Sequence, residues 1–274
     1  GDVYKRQAAY NVAIGYRALQ ANTTGTQNTA VGSFTLEDIT TASYCTAIGY
    51  NGLRNNAGAN NTACGYAGLQ DNTTGEQNTA VGSYALVANT TGTENTCVGY
   101  VTGDAITTGS YNTAIGRASL SSCVTGSSNV AVGWKALDQC LSSENVAVGY
   151  NCLAAMTTGA NNVAVGYNCA DAITTGNYNT AMGVNALTSA TTGERNTAYG
   201  SASLENLTTG QYNTSLGQGS SYQMQGGSYN VAVGQNALYN IYNTDDNTAI
   251  GHSAGSSSTT VSYTHLTLPT KRIV

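Results

Sequence analysis

The side chains of this 274-residue sequence that could do chemistry are seven cysteines, one histidine within its repetitive part and a recurring series of aromatic residues. The cysteines contain no Cys-x-x-Cys pair, so neither the ligand spacing of a zinc site nor a redox dithiol motif is present. Their register is more informative. Cys123 and Cys140 lie 17 residues apart, as do Cys152 and Cys169. In a chain that repeats every 17 residues, each pair would stack at ~4.8 Å, within the Cα separation of a disulfide. Parallel stacking aims both side chains the same way, which suits the disulfide dihedral poorly, and cysteine also packs as a small apolar residue. Thiols are therefore the expected state. Cys45, Cys64 and Cys97 have no stacked cysteine neighbour and read as packing substitutions.

A Ser-His-Asp or Cys-His constellation would have to be built on His252, which has no suggestive neighbours and reads as an exposed surface residue. The aromatic residues Tyr16, Tyr50, Tyr66, Tyr100, Trp134, Tyr150 and Tyr167 occupy one fixed place in the repeat. This interrupted column could bind sugars or a protein, and mutual stacking on the surface is the simpler reading. The carboxylates form no cluster on one face, though Asp245 and Asp246 are adjacent, no Gly-x-Gly-x-x-Gly loop precedes a helix, and the Asp-bearing calcium nonapeptide is missing. The expectation is a protein that is not an enzyme, with no cofactor and no metal.

These side chains sit on an array whose motif Asn-Thr/Val-Ala-apolar-Gly starts at residues 11, 28, 45, 61, 78, 95, 112, 129, 145, 162, 179, 196, 213, 230 and 247. The repeat is too short for a helix pair. Its β-branched, Gly-punctuated pattern predicts short strands with tight corners, one coil of a parallel β-solenoid per repeat. The fold class is thus all-β, a β-roll of about fifteen coils, with an axial length of roughly 70 Å if coils stack at the strand spacing. Asn at position one is expected to form an amide ladder along the axis. Leu at position nine makes a second core element. Position twelve exchanges apolar residues for Asn22, Asn72 and Asn89. The Gly of the recurring Thr-Thr-Gly, as in Thr23-Thr24-Gly25, is expected at a corner with positive φ.

Within positions one to five, Thr/Val at two and an apolar residue at four share one face, and Ala at three and Gly at five share the other. Neither face carries a charge. A strand apolar or small on both sides is normally buried on both, and a thin coil has one interior. The second face should meet another copy of the chain, packed where Ala and Gly leave no bulk, which predicts a homo-oligomer, most simply a trimer.

Residues 1–7 and 261–274 share nothing with the array at 8–260. Asp2 to Gln7 and Val261 to His265 back-translate into one nucleotide string and part of its reverse complement, which resembles the transposase-end adapter of sequencing libraries. Both ends read as non-native, as in a metagenomic fragment of a longer protein. Within 8–260 only five basic residues, Arg17, Arg54, Arg117, Lys135 and Arg195, face thirteen acidic ones, so no nucleic-acid footprint is present. No stretch reaches the length of apolar residues that would insert in a membrane.

The Asn-Thr/Val-Ala-Val/Ile-Gly strand followed by a small residue and Leu resembles the head repeats of trimeric autotransporter adhesins and similar repeats of phage tail fibres, from Tyr10 to about Gly255. The resemblance implies a left-handed parallel β-roll, side-by-side trimers and an extracellular place on a cell surface or virion, where the segment would meet a host-surface protein or glycan. The coil here is somewhat longer than is typical of those heads. The function this implies is a structural or adhesive rod segment. The alternatives are a Thr-rich ice-binding solenoid and a self-assembling extracellular filament subunit whose uncapped ends expose strand edges.

Overall fold

A computed structural model describes residues 10–257 and the backbone of 265–266. The adapter-like segments 1–7 and 261–274 otherwise lie outside the described residues. The chain divides into two compact units, Gly1–Glu144 and Asn145–Val274. Each is a parallel β-solenoid, and the described residues contain no helix.

The first unit holds β1 (Val12–Ile14), β2 (Thr29–Val31), β3 (Thr46–Tyr50), β4 (Thr62–Tyr66), β5 (Thr79–Val81), β6 (Thr96–Val98), β7 (Thr113–Ile115) and β8 (Val130–Val132). The second holds β9 (Val146–Val148), β10 (Val163–Val165), β11 (Thr180–Met182), β12 (Thr197–Tyr199), β13 (Thr214–Leu216), β14 (Val231–Val233), β15 (Thr248–Ile250) and the two-residue β16 (His265–Leu266). Within each unit every strand pairs in parallel with the next, like position on like position, as in Thr79↔Thr96 and Ala164↔Ala181. The 16-residue step from 45 to 61 keeps this register, since Thr46 pairs with Thr62. Backbone bonds between coils continue beyond the strands, for example Leu69 N–H to the Ala85 carbonyl at 3.1 Å and Thr73 N–H to the Thr90 carbonyl at 2.9 Å.

The direction of the strand faces corrects the sequence expectation. Ala at position three points into the coil and is fully buried, as at Ala30, Ala80, Ala147 and Ala232. Asn at position one points the same way and is buried as well. Positions two and four point outward, and Ile48, Val81, Ile115, Val163 and Ile250 are all exposed. The reason is space. A 17-residue coil encloses Leu from position nine and a residue from position twelve, which leaves room opposite them only for Ala. The bulky β-branched residues therefore go outside. The small face is the interior, and the apolar face is the outward one.

Two further corrections concern the corners. The Gly of Thr-Thr-Gly does not adopt positive φ. Gly is required there by close approach, because a Cβ on Gly92 would stand 2.3 Å from the Gly109 carbonyl oxygen and 2.4 Å from Asn89 Oδ1. The left-handed residues are elsewhere. Position five Gly has φ of +130° at Gly82 and +147° at Gly166, while positions seven, nine and seventeen place non-Gly residues there, such as Asn51 at 56°, Leu53 at 51° and Tyr111 at 61°. A left-handed Leu costs about 1–2 kcal/mol. Full burial of its side chain contributes about 1.5–3 kcal/mol, so packing outweighs the backbone preference at Leu53, Leu86, Leu153 and Leu187, all fully buried.

Candidate interaction surfaces

The buried amides form scaffold. Asn95 Oδ1 accepts from the Asn112 backbone N–H and from Asn112 Nδ2, both at 3.0 Å. Asn95 Nδ2 donates to Asn78 Oδ1 at 3.1 Å and to the Gly109 carbonyl at 2.8 Å. The second unit repeats this, with Asn213 N–H donating to Asn196 Oδ1 at 3.0 Å and Asn196 Nδ2 to the Gly210 carbonyl at 2.9 Å. Donors and acceptors of these side chains are spent within the ladder, which is what allows a polar column to be fully buried. At position twelve, Asn89 Nδ2 donates to Asn72 Oδ1 at 2.6 Å and to its own coil's Gly92 carbonyl at 3.0 Å. Where Cys45 replaces the ladder Asn, Asn56 Nδ2 donates to its sulfur at 3.3 Å.

The two stacked cysteine pairs are fully buried, and all seven cysteines are thiols. Cys123 has Cys140 as a thiol hydrogen-bonding neighbour and Cys152 has Cys169. These neighbours, followed by burial, push the Cys123 and Cys152 thiols far above their ordinary range. Burial does the same to Cys97. Such thiols are poor nucleophiles, since the thiolate is the reactive form. Cys64, at position four, is the one exposed cysteine. His252 is exposed, and no cluster of three His, Cys, Asp or Glu able to hold a metal occurs among the described residues.

The aromatic column is on the surface. Tyr16, Tyr50, Tyr66, Tyr100, Trp134, Tyr150 and Tyr167 are all exposed. In the first unit two of its gaps, at Ser33 and Ser83, are closed by residues that position six alone did not reveal. Phe34 and Tyr84, at position seven, swing into the column, giving centroid separations of 5.4 Å for Tyr16–Phe34, 5.5 Å for Phe34–Tyr50, 5.3 Å for Tyr50–Tyr66 and 5.1 Å for Tyr66–Tyr84. Desolvation by these neighbours, and the Tyr66 hydroxyl beside it, raise the Tyr84 phenol above its ordinary value. The Arg17 and Arg54 guanidiniums stand over the Phe34 ring at 5.8 and 5.6 Å. The same two groups clamp the buried Glu37 carboxylate at 2.7 and 2.9 Å. In the second unit Tyr150 and Tyr167 stack at 4.9 Å.

A second ladder escaped sequence reasoning. Position seventeen carries Tyr178, Arg195, Tyr212 and Tyr229, with the Arg195 guanidinium 5.3 Å from both the Tyr178 and Tyr212 rings and Tyr212–Tyr229 stacked at 5.0 Å. Its signal in the sequence is the recurrence of Tyr44, Tyr111, Tyr178, Tyr212 and Tyr229 at one place in the repeat.

The outward strand face is repeated on coil after coil. Positions two and four carry no charge in any of the fifteen coils. In the first unit this face is a file of Thr29, Thr46, Thr62, Thr79, Thr96 and Thr113 beside a file of aliphatic side chains and Cys64. The Thr of position thirteen are otherwise engaged, their hydroxyls bonding the next coil, as Thr73 to the Thr90 carbonyl at 2.8 Å and Thr174 to the Thr191 carbonyl at 3.1 Å. The chain matches no protein-family model, no curated protein and no solved structure.

Proposed function

We propose that this chain is a segment of a structural, adhesive rod that acts outside the cell without catalysis, as in an adhesin head or tail fibre, and that it works as a homo-oligomer. The observation that carries this reading is the outward Thr/Val and aliphatic face of the strands, repeated on every coil and free of charge. Monomeric soluble proteins rarely expose a continuous apolar patch beyond a few hundred Å². A repeating surface is best covered by one of the same period, which another copy supplies, and three copies are the simplest closed arrangement side by side. Light scattering on the purified full chain tests this. A mass of two or more chains at micromolar concentration supports it, most directly that of three, and a stable soluble monomer contradicts it.

A second reading is ice binding, favoured by the Thr file at position two. Thr-Thr-Gly does not present two abreast, but the outward strand face sets a hydroxyl file beside a methyl file at the strand repeat of ~4.8 Å. Thermal hysteresis that Thr79→Lys abolishes would favour this over assembly. No hysteresis at high concentration would remove it.

A further inference from the structure

Four of the seven cysteines form two like pairs, one in each unit. Cys123 and Cys140 occupy position twelve of consecutive coils in the first unit, and Cys152 and Cys169 occupy position eight of consecutive coils in the second. All four are fully buried, and within each pair the partner thiol is a hydrogen-bonding neighbour. Cys45, Cys64 and Cys97 fall at positions one, four and three with no cysteine on the adjoining coils. Packing asks only for a small or apolar side chain at these interior places and gives no reason for cysteine to recur on the next coil.

Three features of the coil favour a covalent link within each pair. The coil repeat of ~4.8 Å puts the partner Cα atoms inside the disulfide window. Stacked side chains at these two positions also converge: Ser203 Oγ and Ser220 Oγ at position eight lie 3.2 Å apart, and Asn89 Nδ2 at position twelve reaches Asn72 Oδ1 at 2.6 Å. Consecutive side chains here therefore turn toward one another instead of keeping the backbone spacing. The third feature is local to the first pair. At position thirteen the N–H groups of Thr73, Thr90 and Thr107 each donate to the next coil's carbonyl at 2.9 Å, whereas among the described residues Val124 N–H has no partner on the 16-residue coil that follows. A bond between Cys123 and Cys140 would hold the two coils beside that gap.

We propose that Cys123–Cys140 and Cys152–Cys169 are disulfide-forming pairs, which staple consecutive coils along the axis when the chain folds in the presence of a small-molecule disulfide such as oxidised glutathione. One cysteine thiolate attacks the oxidant's S–S bond and releases one small thiol, and the partner thiolate then displaces the second. One protein Sγ–Sγ bond forms, the oxidant's bond breaks, and its two sulfurs leave as thiols carrying the two cysteine protons. Only the thiolate reacts, and the closed interior suppresses it, so the links form while the coils are still open. The proposal goes beyond the rod reading, which supplies only an oxidising place outside the cell, and its chemistry is tested independently of it.

The full chain is unfolded with reductant, freed of it and refolded in glutathione redox buffer. It is then alkylated and mapped after chymotryptic digestion, which cuts at Trp134 within the first pair and at Tyr167 within the second. Both links should appear, with Cys45, Cys64 and Cys97 alkylated, and Tm should stand about 5 °C above that of the chain refolded without oxidant. Cys140→Ala and Cys169→Ala should each delete their own link and keep the other. The same buffer given to the already folded thiol chain should form the links about tenfold more slowly or less. Seven alkylated thiols in a chain refolded with oxidant to the same strand circular dichroism would overturn the proposal. So would links to Cys45, Cys64 or Cys97, a Cys140–Cys152 link, or equal rates in folded and refolding chain. Where refolding restores no strands, cell-free synthesis of the chain with and without the oxidant gives the same readout.

Discussion

The two units run the same coil on different interiors. Position twelve in the first is Asn22, Ile39, Asn56, Asn72, Asn89, Ile106, Cys123 and Cys140, while in the second it is Met156, Ile173, Ala190, Leu207, Met224 and Ile241, and every one of these side chains is buried. Positions one, three and five hardly differ between the units. The coil therefore depends on what must repeat, namely the Asn ladder, the Ala that fits the interior and the left-handed Gly. Position twelve accepts any side chain that agrees with its neighbours above and below. Surface decoration is freer still, with aromatic ladders on positions six and seven in the first unit and on six and seventeen in the second.

The largest expected effect comes from the invariant part. Gly82→Ala would set a Cβ 2.1 Å from the Gly99 carbonyl oxygen at φ +130°, and Gly166→Ala would set one 2.3 Å from the Gly183 oxygen at φ +147°. Strain and overpacking together should cost about 3–5 kcal/mol in either unit, measured by urea unfolding. If one unit tolerated the change, the shared scaffold would not be the cause of stability in both.

Exchanges at position twelve should be smaller and depend on context. Asn72→Ile leaves Asn89 with its Gly92 bond and should cost about 1 kcal/mol. Ile173→Asn places a lone amide between Met156 and Ala190, and an unpaired buried oxygen should cost about 2–3 kcal/mol. Adding Ala190→Asn restores a ladder partner, so the double variant should be less destabilised than the sum by about 1 kcal/mol. Strict additivity would show that the amides do not bond along the column.

The smallest effect concerns pH. Desolvation raises the carboxyl of Asp104 in the first unit and of Asp171 in the second above the ordinary carboxylate value, and Asn151 donating to Asp171 at 3.2 Å offsets part of the latter. A raised folded-state value means that stability is fully present below the unfolded value and is lost as pH rises through the folded one. Asp104→Asn and Asp171→Asn should each raise Tm slightly at pH 7 and leave it unchanged near pH 3. A fall in Tm at pH 7 would show that a favourable partner outweighs burial.

Much of the fold was legible in the sequence because a strict period carries its own register. The all-β parallel solenoid, the like-on-like pairing and the Asn ladder follow from the spacing of Asn, Ala and Gly. The direction of the strand was not legible. Ala-Gly and Thr-Val faces are both uncharged, and only the volume left by Leu and position twelve decides which goes inside. The left-handed corners at positions seven, nine and seventeen were missed because Leu and Tyr give no local sign of them, although Asn51, Asn151, Asn168, Asn185 and Asn236 at position seven hint at one. The aromatic column was half legible, since Phe34 and Tyr84 reach it from the neighbouring position.

The orientation of the strands is the claim on which the outward apolar face depends, and two native cysteines report it. Cys64 on β4 points outward, and Cys97 on β6 points inward and is fully buried. Pulsed thiol alkylation of the folded chain, read by peptide mass, should modify Cys64 far faster than Cys97, Cys45 or the stacked pairs when the chain is dilute and dissociated. Cys64 should become protected as concentration rises and copies assemble on that face. Labelling of Cys97 as fast as Cys64, with the strands intact, would contradict the account.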